Sequence, residues 1–224
     1  MEAAIVFDMD GVLVDTEPLK FRAHRKAVEA RGGELGPDRY RRGMGHPHDD
    51  VIRFFLSGAG LPSGPEAVQA YEERFRAAYR ELLVRELAPT DGAEELLDAC
   101  MRQDRQLALV TSSDPWMVEI VLERLEAAPR FAAVVTAADA DAGKPAPDPY
   151  RRARTALGPA GDRAVAVEDT EAGVASAAAA GLPVVAVRHA FNGRHDFGRA
   201  AAVVDSLTPA AAFLDRLDRL AGGI

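Results

Sequence analysis

Five short apolar runs, at residues 3–7, 107–110, 132–135, 164–167 and 183–187, lack the polar alternation of a half-exposed strand. Runs of this length and type form strands buried on both faces, and such strands belong to parallel sheets covered by helices. Between them lie segments with helix-start chemistry: Asp114-Pro115, Asp148-Pro149, Thr170-Glu171 and Thr208-Pro209. Each sets a capping side chain before Pro or an acid in the first turn. Gly181 falls where a helix C-terminus needs a left-handed residue. Strand and helix alternate from about Asp91 to the end, so the expected class is α/β with a doubly wound parallel sheet.

Residues 17–86 break that rhythm. They hold no convincing buried strand but carry helical patterns at 18–31, 49–56 and 66–87, separated by Gly/Pro-rich turns such as Gly32-Gly33 and Gly43-Met44-Gly45. The expected organisation is a core domain of 1–16 and 87–224, with an all-helical insert at 17–86 placed directly after the first strand.

Composition narrows the function classes. Hydrophobic residues make up 48% and charged residues 28%, as in a folded soluble protein. The net charge of -8, with no Lys/Arg block, argues against nucleic acid or an anionic membrane as partner. No run approaches the roughly 20 apolar residues of a membrane span, and no export signal is visible. The single Cys100, in a predicted helix at 94–101, reads as a buried structural thiol in a reducing cytoplasm.

The chemistry begins at Asp8-Met9-Asp10-Gly11, immediately after the first apolar run. Residues just past the carboxyl ends of parallel strands line the ligand crevice of an open α/β sheet. Two carboxylates there divide the labour of group transfer, one as nucleophile and the other as general acid and base. Gly11 lets the backbone leave the strand sharply. Three further strand ends carry matching groups. Thr111-Ser112-Ser113 suits a phosphate oxygen, although hydroxyls at a strand end also serve as plain caps. Lys144, in the stiff loop Lys144-Pro145-Ala146-Pro147, offers a fixed positive charge, where a lone loop Lys is otherwise solvated. Glu168-Asp169 offers hard oxygen ligands for Mg²⁺ beside Asp8 and the carbonyl of Asp10; the alternative is an acidic helix start.

At these four points, in this order, the sequence resembles the haloacid dehalogenase superfamily of phosphatases, over nearly the whole chain. The resemblance implies a Rossmann-like core, a helical cap after the first motif, and Mg²⁺ as cofactor. By position it makes Asp8 the nucleophile and Asp10 the general acid/base. Thr111, Ser112 and Lys144 hold the phosphoryl group, and Asp8, Asp10, Glu168 and Asp169 hold the metal. An Asp at position 10 speaks against the dehalogenase branch. The runs 8–17, 167–174 and Gly181-Leu182-Pro183 look most like the β-phosphoglucomutase/CbbY-like group, and the tail 191–207 is similar to CbbY-like sugar-bisphosphate phosphatases.

Mutases of that group carry a His in the first cap helix, where this chain has Lys20, and an Arg after the cap's Gly turn, where it has His48. Losing these groups favours release of phosphate to water over its return to a sugar. His46 and His48, flanking Pro47 in a Gly-rich turn, are further candidates for substrate contact, as are Lys20 and Ser113. The expected function is hydrolysis of a small phosphorylated metabolite, a sugar phosphate first, by a cytoplasmic monomer or weak homodimer. The alternatives are a sugar-phosphate mutase and a non-catalytic phosphometabolite-binding protein. Substrate is expected to bind between core and cap.

Overall fold

The computed structural model describes residues 2–43 and 48–223, and of His48 the backbone alone. The chain divides into two compact units: Met1–Asp15 with Ala88–Ile224, and Thr16–Leu87.

The first unit is built on six parallel strands: β1 (Ala4–Phe7), β2 (Leu107–Val110), β3 (Ala133–Val135), β4 (Ala164–Glu168), β5 (Val184–Val187) and β6 (Ala202–Val204). Their order in the sheet is β3-β2-β1-β4-β5-β6, the Rossmann-like doubly wound order. β1 is central, with Val6 level with Ala108 on one side and Ala166 on the other. The connections reverse direction between β1 and β4, which opens a crevice at their carboxyl ends.

Nine helices occur among the described residues. α1 (Glu17–Glu29), α2 (Pro37–Gly43), α3 (His48–Gly58) and α4 (Pro65–Glu86) make up the second unit, and α5 (Ala93–Arg102), α6 (Pro115–Arg124), α7 (Asp148–Ala156), α8 (Glu171–Ala179) and α9 (Ala210–Gly222) belong to the first. Alternate strand residues face opposite sides of the sheet. Val6, Ala108, Val110, Ala166 and Ala186 join Tyr150 and Ala153 of α7 and Val174 and Ala177 of α8 in one core. The other parity, Ile5, Phe7, Leu109, Val165 and Val185, is equally buried, with α9 against β4 and α5 against α9. Burial on both faces is why these strands read as unbroken apolar runs. Cys100 of α5 is buried, and desolvation pushes its thiol up to about 12, Arg105 opposing, as a structural thiol requires.

In the helical unit α1 packs along α4. Between them His24 is 8% exposed and stacks on Phe75 at 4.1 Å between ring centroids, with Nδ1 2.8 Å from the Tyr71 hydroxyl.

Three expectations need correction. β6 was not anticipated, although residues 200–204 form an apolar run no shorter than that of β3; like β3 it has three residues and lies at an edge of the sheet. α2 was not anticipated either, being only seven residues between Gly-rich turns. Of the four expected caps, only Thr170 caps with its side chain, accepting from Gly173 N–H at 3.0 Å. Asp114 stands at an N-cap but turns its carboxylate to the Trp116 indole, 3.3 Å away. Asp148 is already inside α7, and Pro209 rather than Thr208 precedes α9.

Candidate active site

The chemistry-bearing residues collect at the carboxyl end of the sheet. Asp8 leaves β1 with its N–H on Val167 O (2.9 Å), which prolongs the ladder with β4 by one residue. Asp8 is 6% exposed, Glu168 is fully buried and Asp169 is 6% exposed. One carboxylate oxygen from each lies within 4.8 Å of the other two.

Lys144, from the loop between β3 and α7, enters this acid cluster. Its ammonium donates to Asp8 Oδ1, to Glu168 Oε1 at 2.6 Å and to Val110 O at 3.2 Å. Burial alone would pull its pKa down, but Asp8 and Glu168 hold it above the ordinary lysine value, so it stays charged. Glu168 is saturated with donors. Lys144 and the Tyr150 hydroxyl (2.9 Å) reach Oε1, while Asp169 N–H, Thr170 N–H and Thr170 Oγ1 reach Oε2 at 2.9, 2.9 and 3.0 Å. Burial pushes the Glu168 carboxyl up, but Lys144 and these hydrogen bonds outweigh it, so its pKa is lowered and it remains ionised. Its carboxylate lies so close to α8 that a Cβ on Gly173 would meet Glu168 Oε1 at 1.7 Å; only glycine fits there.

Asp8 shows the opposite balance. Desolvation raises its pKa well above the ordinary value, Lys144 pulls it back, and Glu168, Asp169 and Asp10 repel its charge. One buried ammonium therefore faces more carboxylate charge than it neutralises. That excess, with three hard oxygen donors converging, fits a divalent cation such as Mg²⁺.

Asp10 is half-buried and accepts from Ser113 Oγ at 2.7 Å and, weakly, from Thr111 Oγ1 at 3.4 Å. Thr111 is 3% exposed and its oxygen also accepts from Ser113 N–H at 3.0 Å. Ser112, next in the chain, is exposed. The structure thus brings together Asp8, Asp10, Thr111, Ser113, Lys144, Glu168 and Asp169. Lys20 lies half-buried on α1 in the helical unit. His46 and the side chain of His48 lie outside the described residues.

Several participants were missed from sequence. Tyr150 is fully buried, holds Glu168 and has Lys144 5.2 Å from its ring centroid. His189 sets Nε2 2.9 Å from Asp169 Oδ2. Asn192, 2% exposed, donates to Asp169 O (2.9 Å) and Val187 O (2.8 Å) and accepts from His189 N–H (2.9 Å). His189 follows β5 by two residues, so its place at a strand end was the available signal. Tyr150, on the apolar face of α7, gave none.

The comparisons with known proteins agree with this geometry. Residues 5–187 match the haloacid dehalogenase-like hydrolases, and the chain belongs to that family and is an enzyme of it. It falls with the β-phosphoglucomutase/CbbY-like group. It is 30% identical over 190 residues to a phosphorylated carbohydrates phosphatase of Thermotoga maritima, covering 84% of this chain and 87% of that one. A CbbY from Rhodobacter sphaeroides, solved in complex with phosphate, superposes with a TM-score of 0.82 at 27% identity, covering 96% of this chain and all of the other. A β-phosphoglucomutase from Clostridium difficile, 21% identical with a TM-score of 0.73 over 98% of both chains, shares the fold. No helix among the described residues is long and apolar enough to cross a membrane.

Proposed function

We propose that this enzyme is a Mg²⁺-dependent phosphatase of a small phosphorylated metabolite, a sugar phosphate by class, working through an aspartyl phosphate on Asp8. The observation that carries the reading is the Lys144 ammonium bonded at once to Asp8 and Glu168 inside a buried cluster with surplus acid. Burial strips water from the Asp8 carboxyl and Lys144 favours its ionised form, but burial and the neighbouring acids outweigh the ammonium, so the rest of the charge stabilisation would come from a bound cation.

Asp8 attacks phosphorus through its carboxylate, forming the acyl-phosphate bond as the ester oxygen leaves. Asp10 protonates that oxygen and later takes the proton of the water that attacks the intermediate. The Ser113 hydroxyl keeps Asp10 Oδ2 aimed, and Thr111 with Lys144 holds the transferring oxygens. Glu168 orients Lys144. Asp8, Asp169 and the Asp10 carbonyl, with Glu168 adding charge, would hold Mg²⁺, which when bound neutralises developing charge on the phosphoryl oxygens. The helical unit, inserted directly after Asp8 and Asp10, is assigned substrate selection. The carbohydrate-phosphate relative supports the substrate class. Lys20, where mutases of the group carry His, supports water as the acceptor.

The test is incubation with a panel of sugar 1- and 6-phosphates, with and without Mg²⁺, following inorganic phosphate and isomer together. Metal-dependent release of phosphate that is lost in Asp8→Asn is expected. Conversion of a 1-phosphate to the 6-phosphate without net release would replace the reading with a mutase.

A further inference from the structure

We infer that the loop after β5 is a two-point clamp on Asp169, and that His189 is the positioning residue that fixes which carboxylate oxygen Asp169 presents to the cation. The inference rests on the metal-dependent reading above and extends it to residues outside the four motifs. Asn192 grips the Asp169 backbone through its carbonyl, and the same side chain accepts the His189 N–H, so one amide sets the spacing between the two residues. His189 then takes the Asp169 side chain by Oδ2.

The hydrogen bonds define the tautomer. Phe191 N–H donates to His189 Nδ1 at 3.2 Å, so Nδ1 carries the lone pair and Nε2 carries the hydrogen. The imidazole therefore acts as a neutral donor to Asp169 Oδ2. The arrangement leaves no room for a side chain opposite. A Cβ at Gly11 would lie 2.3 Å from Asp169 Oδ2 and 3.1 Å from His189 Nε2. The glycine of the Asp-x-Asp-Gly motif thus accommodates this pair as well as its own left-handed φ of 79°. Groups that hydrogen-bond a ligating carboxylate tune metal affinity by fixing its orientation.

His189→Asn and His189→Gln, made in the full chain, separate the two bonds. Asn keeps an acceptor for the Phe191 amide but is too short to reach Asp169, whereas the Gln amide nitrogen reaches the Nε2 position. The readouts are the Mg²⁺-dependent rise in melting temperature without substrate, titrated for half-saturation, and the Mg²⁺ activation constant of phosphate release. His189→Asn is expected to raise both half-saturation values about 10-fold or more. It should leave the ester KM at saturating Mg²⁺ and the cation-free melting temperature near wild type. His189→Gln should restore both values to within about 3-fold. Wild-type half-saturation in His189→Asn would overturn the clamp, and so would equal losses in both variants accompanied by a fall in cation-free stability. A wild-type protein that neither responds to Mg²⁺ nor releases phosphate would overturn the metal-dependent reading itself, a result distinct from either.

Discussion

Arg105 and Lys144 are both buried cations held by carboxylates, at opposite ends of one parallel sheet. Arg105 precedes β2 at the amino end. Its guanidinium meets Asp218 of α9 through two parallel bonds of 2.7 Å and reaches Ala3 O at 3.3 Å, just before β1. One positive charge meets one carboxylate, whose remaining bond comes from Ala3 N–H at 2.7 Å. Lys144 stands at the carboxyl end, among Asp8, Glu168, Asp169 and Asp10, where acid outnumbers base. The first cluster is complete within the chain and joins the terminal helix to the sheet. The second carries more acid than its one ammonium neutralises. Charge balance separates the two clusters, although both cations are buried and their bonds are of similar length.

The contrast breaks most visibly under an isosteric change at each end. Asp8→Asn is expected to reduce phosphate release to about 10⁻⁴ of wild type or less, whereas Asp218→Asn should leave turnover within about 2-fold, both measured at saturating Mg²⁺. Removing the cation comes next. Lys144→Met leaves Asp8 and Glu168 buried without their ammonium and should cost about 3–5 kcal/mol in urea denaturation. Removing one donor to Glu168 is milder: Tyr150→Phe should cost about 2 kcal/mol in the same measurement. Asp218→Asn leaves Arg105 facing a neutral amide at a site where the acid is 31% exposed, so about 1–2 kcal/mol is expected at neutral pH.

That last difference is pH-dependent, and its sign follows from the direction of the shift. The Arg105 hydrogen bond leads in lowering the Asp218 pKa below its ordinary 3.8, against the opposing effect of burial. The unfolded chain therefore binds this proton first as pH falls, and the stabilisation is full above about pH 5 and fades through the depressed folded pKa. Urea melts at pH 5, 4 and 3 should show the gap between wild type and Asp218→Asn closing as pH drops.

Most of the sheet was legible because burial on both faces removes polar alternation, and four of the six strands are buried throughout. β6 escaped although its stretch 200–204 is as apolar as that of β3, the other three-residue edge strand, so the apolar run alone does not explain the difference. The strand-end residues were legible for a related reason: a parallel sheet directs its carboxyl ends to one crevice, so acids, hydroxyls and a lysine far apart in sequence read as neighbours. Residues that act on those neighbours left weaker traces. Asn192 and His189 are a polar pair in a loop, and their partner Asp169 is 20 residues or more away, with no periodicity linking them. Asp114 shows the reverse failure, since a residue of capping type spends its carboxylate on an indole.

The two ends of the helical insertion are joined before it begins. Val14 pairs with Pro89 in an antiparallel bridge, Asp15 N–H bonds Ala88 O at 3.1 Å, and Thr90 N–H bonds Leu13 O at 3.0 Å. The entropy of closing a long loop grows only slowly with its length, and here the closure is made by main-chain bonds belonging to the sheet-bearing unit. That unit meets the closure cost whatever residues lie between Asp15 and Ala88. Segment 16–87 is therefore free to change in length and sequence while the strand ends on either side of it keep their register.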